Sequence, residues 1–356
     1  DQTKAVMEVS AGTADACVVD ITLANAMGLT RYFKGLVRNV EQPIDPQLPP
    51  ADTNIANPLP GKGQDYLDRL ATVRGCYLQH LSEGTDATAR GWFTNLRIDG
   101  DSWAITDRLC AVHATALHPD DLRVLAGHGG SMVWSPTSNY LLYGATADIA
   151  AAKAAGVRIA LGSDWAPSGT KNLLGELKVA WLAGREHATA GGDPLFSPEE
   201  LVRMVTVDPA RILRWDHALG SIEAGRRADL VVVNGRTADP YGQLVAARET
   251  SITLILIDGV PRCGQKRLMT PFGPGTESFR IGGANRILDL TEPASDVLGP
   301  APSLTAAVAT LRDAMARLPE LAANLRTAAP TEGPQWRIVP DFEPDDLLGP
   351  EAADRE

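Results

Sequence analysis

Short apolar runs recur along the middle of the chain, and each is flanked by an Ala/Leu-rich stretch of helical period. The clearest runs are Cys76-Tyr77-Leu78-Gln79-His80, Cys110-Ala111-Val112-His113, Ser131-Met132-Val133-Trp134 and Arg158-Ile159-Ala160-Leu161. Residues 119–126 and 146–155 read as helices between them, and Gly156 stops the second helix just before a strand. Strands and helices alternating every ~20–35 residues predict βαβ units and a parallel sheet. With weaker strand candidates at residues 17–20 and 36–39 the count is about six, where a closed (β/α)8 barrel needs eight.

The pattern changes on either side of this region. Residues 41–64 are rich in Pro, Asn and Asp and read as a long surface loop. Ser197-Pro198-Glu199-Glu200 places Ser at an N-cap, Pro at the first helical position and Glu at the third, and Asp208-Pro209 starts another helix. Residues 220–264 hold two β-rich runs, the second containing the turn pair Asp258-Gly259. Leu304, Val308, Leu311, Met315 and Leu318 repeat every three or four residues, which predicts an amphipathic helix interrupted by Pro319. The acidic, Pro-bearing stretch 327–356 reads as a tail.

Composition narrows the partners. The chain has 356 residues, 44% of them hydrophobic, and a net charge of −11. An acidic protein is poorly suited to gripping phosphate backbones, and no apolar run approaches membrane length, so neither nucleic acid nor a bilayer is an expected partner. The four cysteines form no C-x-x-C pair, which argues against a disulfide scaffold and fits the cytoplasm.

The candidate chemistry lies at strand ends. His80 and His113 close two of the apolar runs, and a third run leads into Gly162-Ser163-Asp164. Parallel barrels assemble their active sites from the C-terminal ends of several strands. Two imidazoles and a carboxylate at one rim make a donor set for zinc or iron, and Glu83 is placed to move protons. A single strand-end histidine is more simply a core or loop residue, and Asp after Gly-Ser a turn residue; the combination carries the signal. His118, His128, His187 and His217 read as helix-end, turn or solvated residues.

Three segments carry a likeness: HLSEG from His80, VHATAL from Val112, and WSPTSN followed by LGSDWAPSGTKNLLGELK. Together with GSIEAGRRADLVVV from Gly220, they make residues 10–265 resemble the amidohydrolase superfamily, in its branch of aminohydrolases and chlorohydrolases. The resemblance implies an α/β fold: a (β/α)8 TIM-type barrel incomplete at its N-terminus (1–217), the C-terminal half of a small β-sandwich domain (218–265) and a helical C-terminal extension (266–356). It implies hydrolysis of a C–N bond in a small molecule, of the amide, amidine or ring-amine type, by a metal-activated water. In that scheme His80, His113 and Asp164 hold one divalent metal, zinc or iron. Glu83, His113 and Asp164 are catalytic: Glu83 is the acid/base, His113 either binds metal or polarises the substrate, and Asp164 orients the water. Trp134, Ser138, Asn139, Trp165 and Ser168 are candidates for substrate contact.

Two departures from the family pattern qualify this. Trp134-Ser135-Pro136 stands where H-C-P is common, and the indole either walls a pocket or packs in the barrel. The H-x-H of the family's first strand occurs nowhere in the sequence. The expected explanations are a piece of a longer polypeptide, a homologue without metal catalysis that serves in binding or assembly, or a barrel completed by a second chain. Self-association is expected of exposed sheet edges.

Overall fold

The computed structural model describes residues 38–41, 43, 45–54, 63–165, 167–188, 192–235, 237–270, 277–281, 283–291, 303–317 and 319–320. The strand candidate at 17–20 and the tail at 327–356 lie outside them.

The first sheet is parallel and open among the described residues. Its order is β1 (Asp52–Asn54), β2 (Tyr77–Leu81), β5 (Leu109–His113), β6 (Ser131–Trp134) and β7 (Arg158–Leu161). The intervening β3 (Arg97–Asp99) and β4 (Ser102–Trp103) form a separate two-stranded ribbon. The apolar runs at Cys76, Cys110, Ser131 and Arg158 all form strands of the parallel sheet. One expectation fails. Residues 41–64 are not a continuous loop: they contain β1, paired to β2 from Asp52 opposite Tyr77 to Asn54 opposite Gln79. Asp-Thr-Asn has neither alternation nor β-branched bulk, so pairing with the neighbouring strand decides its conformation, as it can at a sheet edge. At 36–39, the described residues Arg38 and Asn39 are not in a strand.

Helices follow the strands: α1 (Gly63–Thr72), α2 (Ala87–Thr94), α3 (Pro119–Gly127), α4 (Pro136–Tyr143), α5 (Ile149–Ala155), α6 (Leu173–Glu186), α7 (Pro198–Arg203) and α8 (Val207–Ile212). The Ser197–Glu200 capping box of α7 forms in both directions, with Glu200 N donating to Ser197 Oγ at 3.2 Å and Ser197 N to Glu200 Oε2 at 2.8 Å.

Strand alternation splits the side chains into two layers. Tyr77, Leu81, Leu109, Ala111, Met132, Trp134, Ile159 and Leu161 join the main core with the helices. Cys76, Cys110 and Ala160 pack on the opposite face, with Leu78 and Val133 against them. His80 has the parity of that second face, and Trp134 that of the helix face.

The second sheet is antiparallel, in the order β11 (Glu277–Ile281), β12 (Ala284–Leu288), β10 (Val260–Gly264), β9 (Ile252–Ile257) and β8 (Leu230–Val233). Helix α9 (Pro240–Ala246) lies between β8 and β9 in sequence, and α10 (Lys266–Met269) follows β10. Asp258 (φ 53°) and Gly259 (φ 79°) join β9 to β10 in left-handed conformations, the requirement of a two-residue hairpin turn. Two of the five strands come from residues beyond 265, because β12 pairs with β10 through Cys263 opposite Leu288. The amphipathic helix expected near the C-terminus is α11 (Leu304–Ala316).

Candidate active site

The site forms where β2 and β5 end. These strands are adjacent and in register, with His80 opposite Val112 and Leu81 opposite His113. By alternation alone His113 would follow Leu109 and Ala111 toward the helices. Its left-handed backbone (φ 69°) breaks that order, and the ring comes to rest 5.1 Å, centroid to centroid, from His80. Ser82 (φ 54°), Ala114 (φ 53°) and Asp164 (φ 60°) are also left-handed, so four of the six such non-glycine residues among those described sit at these strand ends. Each costs on the order of 1–3 kcal/mol, a strain that persists where surroundings over-determine the geometry. Gly84 completes the turn after β2: its φ is 126°, and a Cβ there would stand 2.9 Å from the Cβ of Ala89.

Among the described residues, His80, Glu83 and His113 offer ligand atoms that all lie within 4.8 Å of one another. His80 Nδ1 is 3.3 Å from the backbone oxygen of Asn54. A carbonyl only accepts, so Nδ1 donates and the Nε2 lone pair is free for a metal. Glu83 Oε1 accepts a hydrogen bond from the Tyr143 hydroxyl at 2.8 Å and stands 3.7 Å from His113 Nε2. Burial, then the bond to Glu83 and the charges of Glu83 and Asp164, push the Tyr143 hydroxyl up to about 12, so it stays a donor at neutral pH. Burial is also the main influence on His113 and holds its pKa below the usual value, outweighing the opposite pull of Glu83 and Asp164. The ring is 1% exposed and neutral at pH 7.

The other predicted residues divide by position. Asp164 is outside the 4.8 Å group, although its charge acts on His113 and Tyr143. Asn139 is in the site: its Nδ2 lies 3.0 Å from His113 Nδ1. Trp134 is not at the mouth. Its indole is fully buried on the helix face, tilted against Phe196 at 6.0 Å, and its Nε1 donates to Thr146 Oγ1 at 2.7 Å. Packing is therefore its first role, because alternation along β6 turns it away from the face that carries His80. Ser138 is buried, and its hydroxyl has no hydrogen-bond partner among the described residues. Trp165 is partly exposed directly after Asp164, and Ser168 Oγ turns back to its carbonyl oxygen at 3.5 Å.

Three residues go beyond the sequence-based set. Tyr143 holds Glu83, and Thr146 holds Asn139 through its Oδ1 at 3.2 Å. Glu176 on α6 is completely buried and ties two segments together: Thr137 N donates to its Oε1 at 3.0 Å, and Thr170 Oγ1 lies 2.7 Å from its Oε2. Tyr143 and Thr146 are half-buried and carry no motif, whereas Glu176 lies within the LGSDWAPSGTKNLLGELK segment and is marked out by its complete burial.

The family follows from comparison with known proteins. The model of the amidohydrolase family matches residues 82–262, half of the chain. The chain belongs to the amidohydrolase family. An S-triazine hydrolase of Gordonia rubripertincta is 31% identical over 153 residues, 42% of this amidohydrolase chain and 31% of the relative. A 5-methylthioadenosine/S-adenosylhomocysteine deaminase of Desulforudis audaxviator is 36% identical over 169 residues, 45% of this chain and 39% of the relative. The chain thus spans well under half the length of these two relatives. In fold, it is similar to an adenosine deaminase from Xanthomonas campestris solved with bound zinc, with a TM-score of 0.53 and 21% identity over 73% of this chain and 55% of that one.

Proposed function

We propose that this amidohydrolase hydrolyses a C–N bond of a small, nitrogen-rich ring compound with the help of a divalent metal. The observation that carries the proposal is the convergence of His80, Glu83 and His113 on one strand-end site, with Tyr143 bonded to the carboxylate. The named activities of the relatives, on S-triazines and on adenosine-type nucleosides, support a heterocyclic substrate. The donor types suit a metal: His80 is fixed with Nε2 free, and Asp164 follows the end of β7, three places from the strand of His80 in the same sheet. His80 and Asp164 would hold the ion, and zinc suits nitrogen and carboxylate donors. When bound, such an ion acts as a Lewis acid and makes water more acidic. The remaining work belongs to the chain. Asp164 orients the attacking water, and Glu83, steadied by Tyr143, passes a proton to the departing nitrogen. His113, neutral and buried, faces the reacting group. The cysteines Cys76, Cys110 and Cys263 are free thiols, in keeping with a reducing compartment such as the cytoplasm. No helix among the described residues is long and apolar enough to cross a membrane.

Ammonia release from a panel of aminotriazines and aminopurines, with the zinc-loaded full chain, tests the proposal. Glu83→Gln should lower kcat by about 10²–10⁴-fold. Undiminished turnover in that variant, or no release from any member of the panel, contradicts it.

A further inference from the structure

The hydrogen bonds behind His113 run in one direction. The indole Nε1 of Trp134 can only donate, and its hydrogen goes to Thr146 Oγ1 at 2.7 Å. The Thr146 hydroxyl has one hydrogen of its own, and Asn139 Oδ1 stands 3.2 Å away to accept it. With its oxygen engaged, Asn139 turns its amide nitrogen to His113, Nδ2 to Nδ1 at 3.0 Å. An amide N–H donates, so the ring nitrogen it meets must accept. A neutral imidazole that accepts at Nδ1 carries its proton on Nε2. The indole takes one acceptor position on Thr146 and leaves the hydroxyl hydrogen for Asn139 Oδ1, and the placement of the Asn139 amide, oxygen to Thr146 and nitrogen to His113, sets the rest of the direction. Trp134 and Asn139 are wholly buried, His113 is 1% exposed and Thr146 is half-buried, so the step from Asn139 to His113 is shielded from water.

His80 is set the other way. Its Nδ1 gives its proton to the Asn54 carbonyl, which leaves Nε2 a bare lone pair. The two rings, 5.1 Å apart, therefore offer the site opposite groups: one acceptor and one donor. The distance from His113 Nε2 to Glu83 Oε1 is 3.7 Å, beyond a hydrogen bond, so the Nε2 hydrogen remains available to a third atom.

We propose that Trp134, Thr146 and Asn139 are positioning residues that lock His113 as its Nε2–H tautomer, making it a hydrogen-bond donor to the substrate rather than a metal ligand. The tautomer stands on this structure alone; its use on a substrate rests on the hydrolase reading. The substrate atom that meets it must accept a hydrogen bond, as a ring nitrogen or carbonyl oxygen does. His80 is then the imidazole that ligates the metal.

Nitrogen-15 NMR of the histidine rings in the metal-free, full-length protein at neutral pH tests this, with the His113 signals assigned by their loss in His113→Gln. The expected spectrum has a protonated Nε2 and a bare Nδ1. Asn139→Asp replaces a donating amide with an accepting carboxylate, so the proton should move to Nδ1. That frees Nε2, and zinc affinity should rise by about tenfold or more, the scale on which groups behind a ligand act. A wild-type proton on Nδ1, or an Asn139→Asp variant that keeps its proton on Nε2, overturns the relay. Unchanged zinc affinity after the proton has moved overturns the exclusion of His113 from the metal. If Asn139→Asp does not fold, the wild-type spectrum decides alone. The Nε2–H tautomer in a protein without turnover upholds the relay and sinks the hydrolase reading, whereas Nδ1–H in an active enzyme does the reverse.

Discussion

Glu176 shows how one buried carboxyl holds a site together. Its Oε1 accepts from the Thr137 backbone, and its Oε2 faces a Thr170 hydroxyl that also lies 3.0 Å from the Asn172 carbonyl oxygen. That hydroxyl has a single hydrogen, so the set is satisfied best when Glu176 is protonated and donates to Thr170 while Thr170 donates to Asn172. Burial acts in the same sense, raising the Glu176 pKa above the usual 4.5 against the lowering effect of its hydrogen bonds. A raised carboxyl pKa stabilises the fold at low pH, and that contribution is lost as pH rises through the folded value. Glu176→Gln keeps an acceptor for Thr137 and a donor for Thr170, with no proton to lose. Its stability relative to the parent should therefore climb as pH rises above about 4.5, the unfolded value. Glu176→Ala should cost about 1–3 kcal/mol by leaving buried groups unpaired. Urea denaturation of both variants across the acid range checks both outcomes. Nothing in Leu174-Gly175-Glu176-Leu177 signals this role, because a glutamate in a helix ordinarily faces water.

At the level of elements, legibility followed chemistry. The strands bearing His80 and His113 were readable because compact apolar runs end in polar residues, and the α7 N-cap because its box is local in sequence. β1 was not readable, since Asp-Thr-Asn becomes a strand only beside β2. The relay was equally hidden: Trp134, Asn139 and Thr146 are joined by the path of α4 and the turn after it, not by spacing. The segment that follows β2 is held by an ion pair between helices. Arg90 on α2 donates Nε to Asp121 Oδ2 at 2.6 Å and Nη2 to Oδ1 at 2.9 Å, and the same carboxylate caps α3 by accepting from His118 N at 2.9 Å. Asp121 is 5% exposed, so Arg90→Met leaves a buried charge short of partners. A loss of about 1–3 kcal/mol is expected. If equilibrium unfolding shows no loss, the pair does not anchor α2.

Over the whole molecule, the parallel sheet supplies the strand ends that hold the site, and the antiparallel sheet is tied to the segment before β1. Arg38 donates to Asp229 at 2.7 and 2.9 Å, and Asp258 N donates to the same carboxylate at 2.7 Å. Burial opposes these bonds but does not prevail, and the Asp229 pKa stays below the usual carboxylate value. The family likeness read from HLSEG, VHATAL and LGSD agrees with the fold, and the strand ends bring His80, Glu83 and His113 together. The central claim is that this arrangement binds a catalytic divalent metal through His80. Zinc titration of the intact chain, followed by metal analysis after dialysis, tests it most directly. The account predicts close to one equivalent for the parent protein and at least a tenfold weaker site, to order of magnitude, in His80→Ala. Less than about a tenth of an equivalent in the parent, or equal binding in His80→Ala, contradicts it.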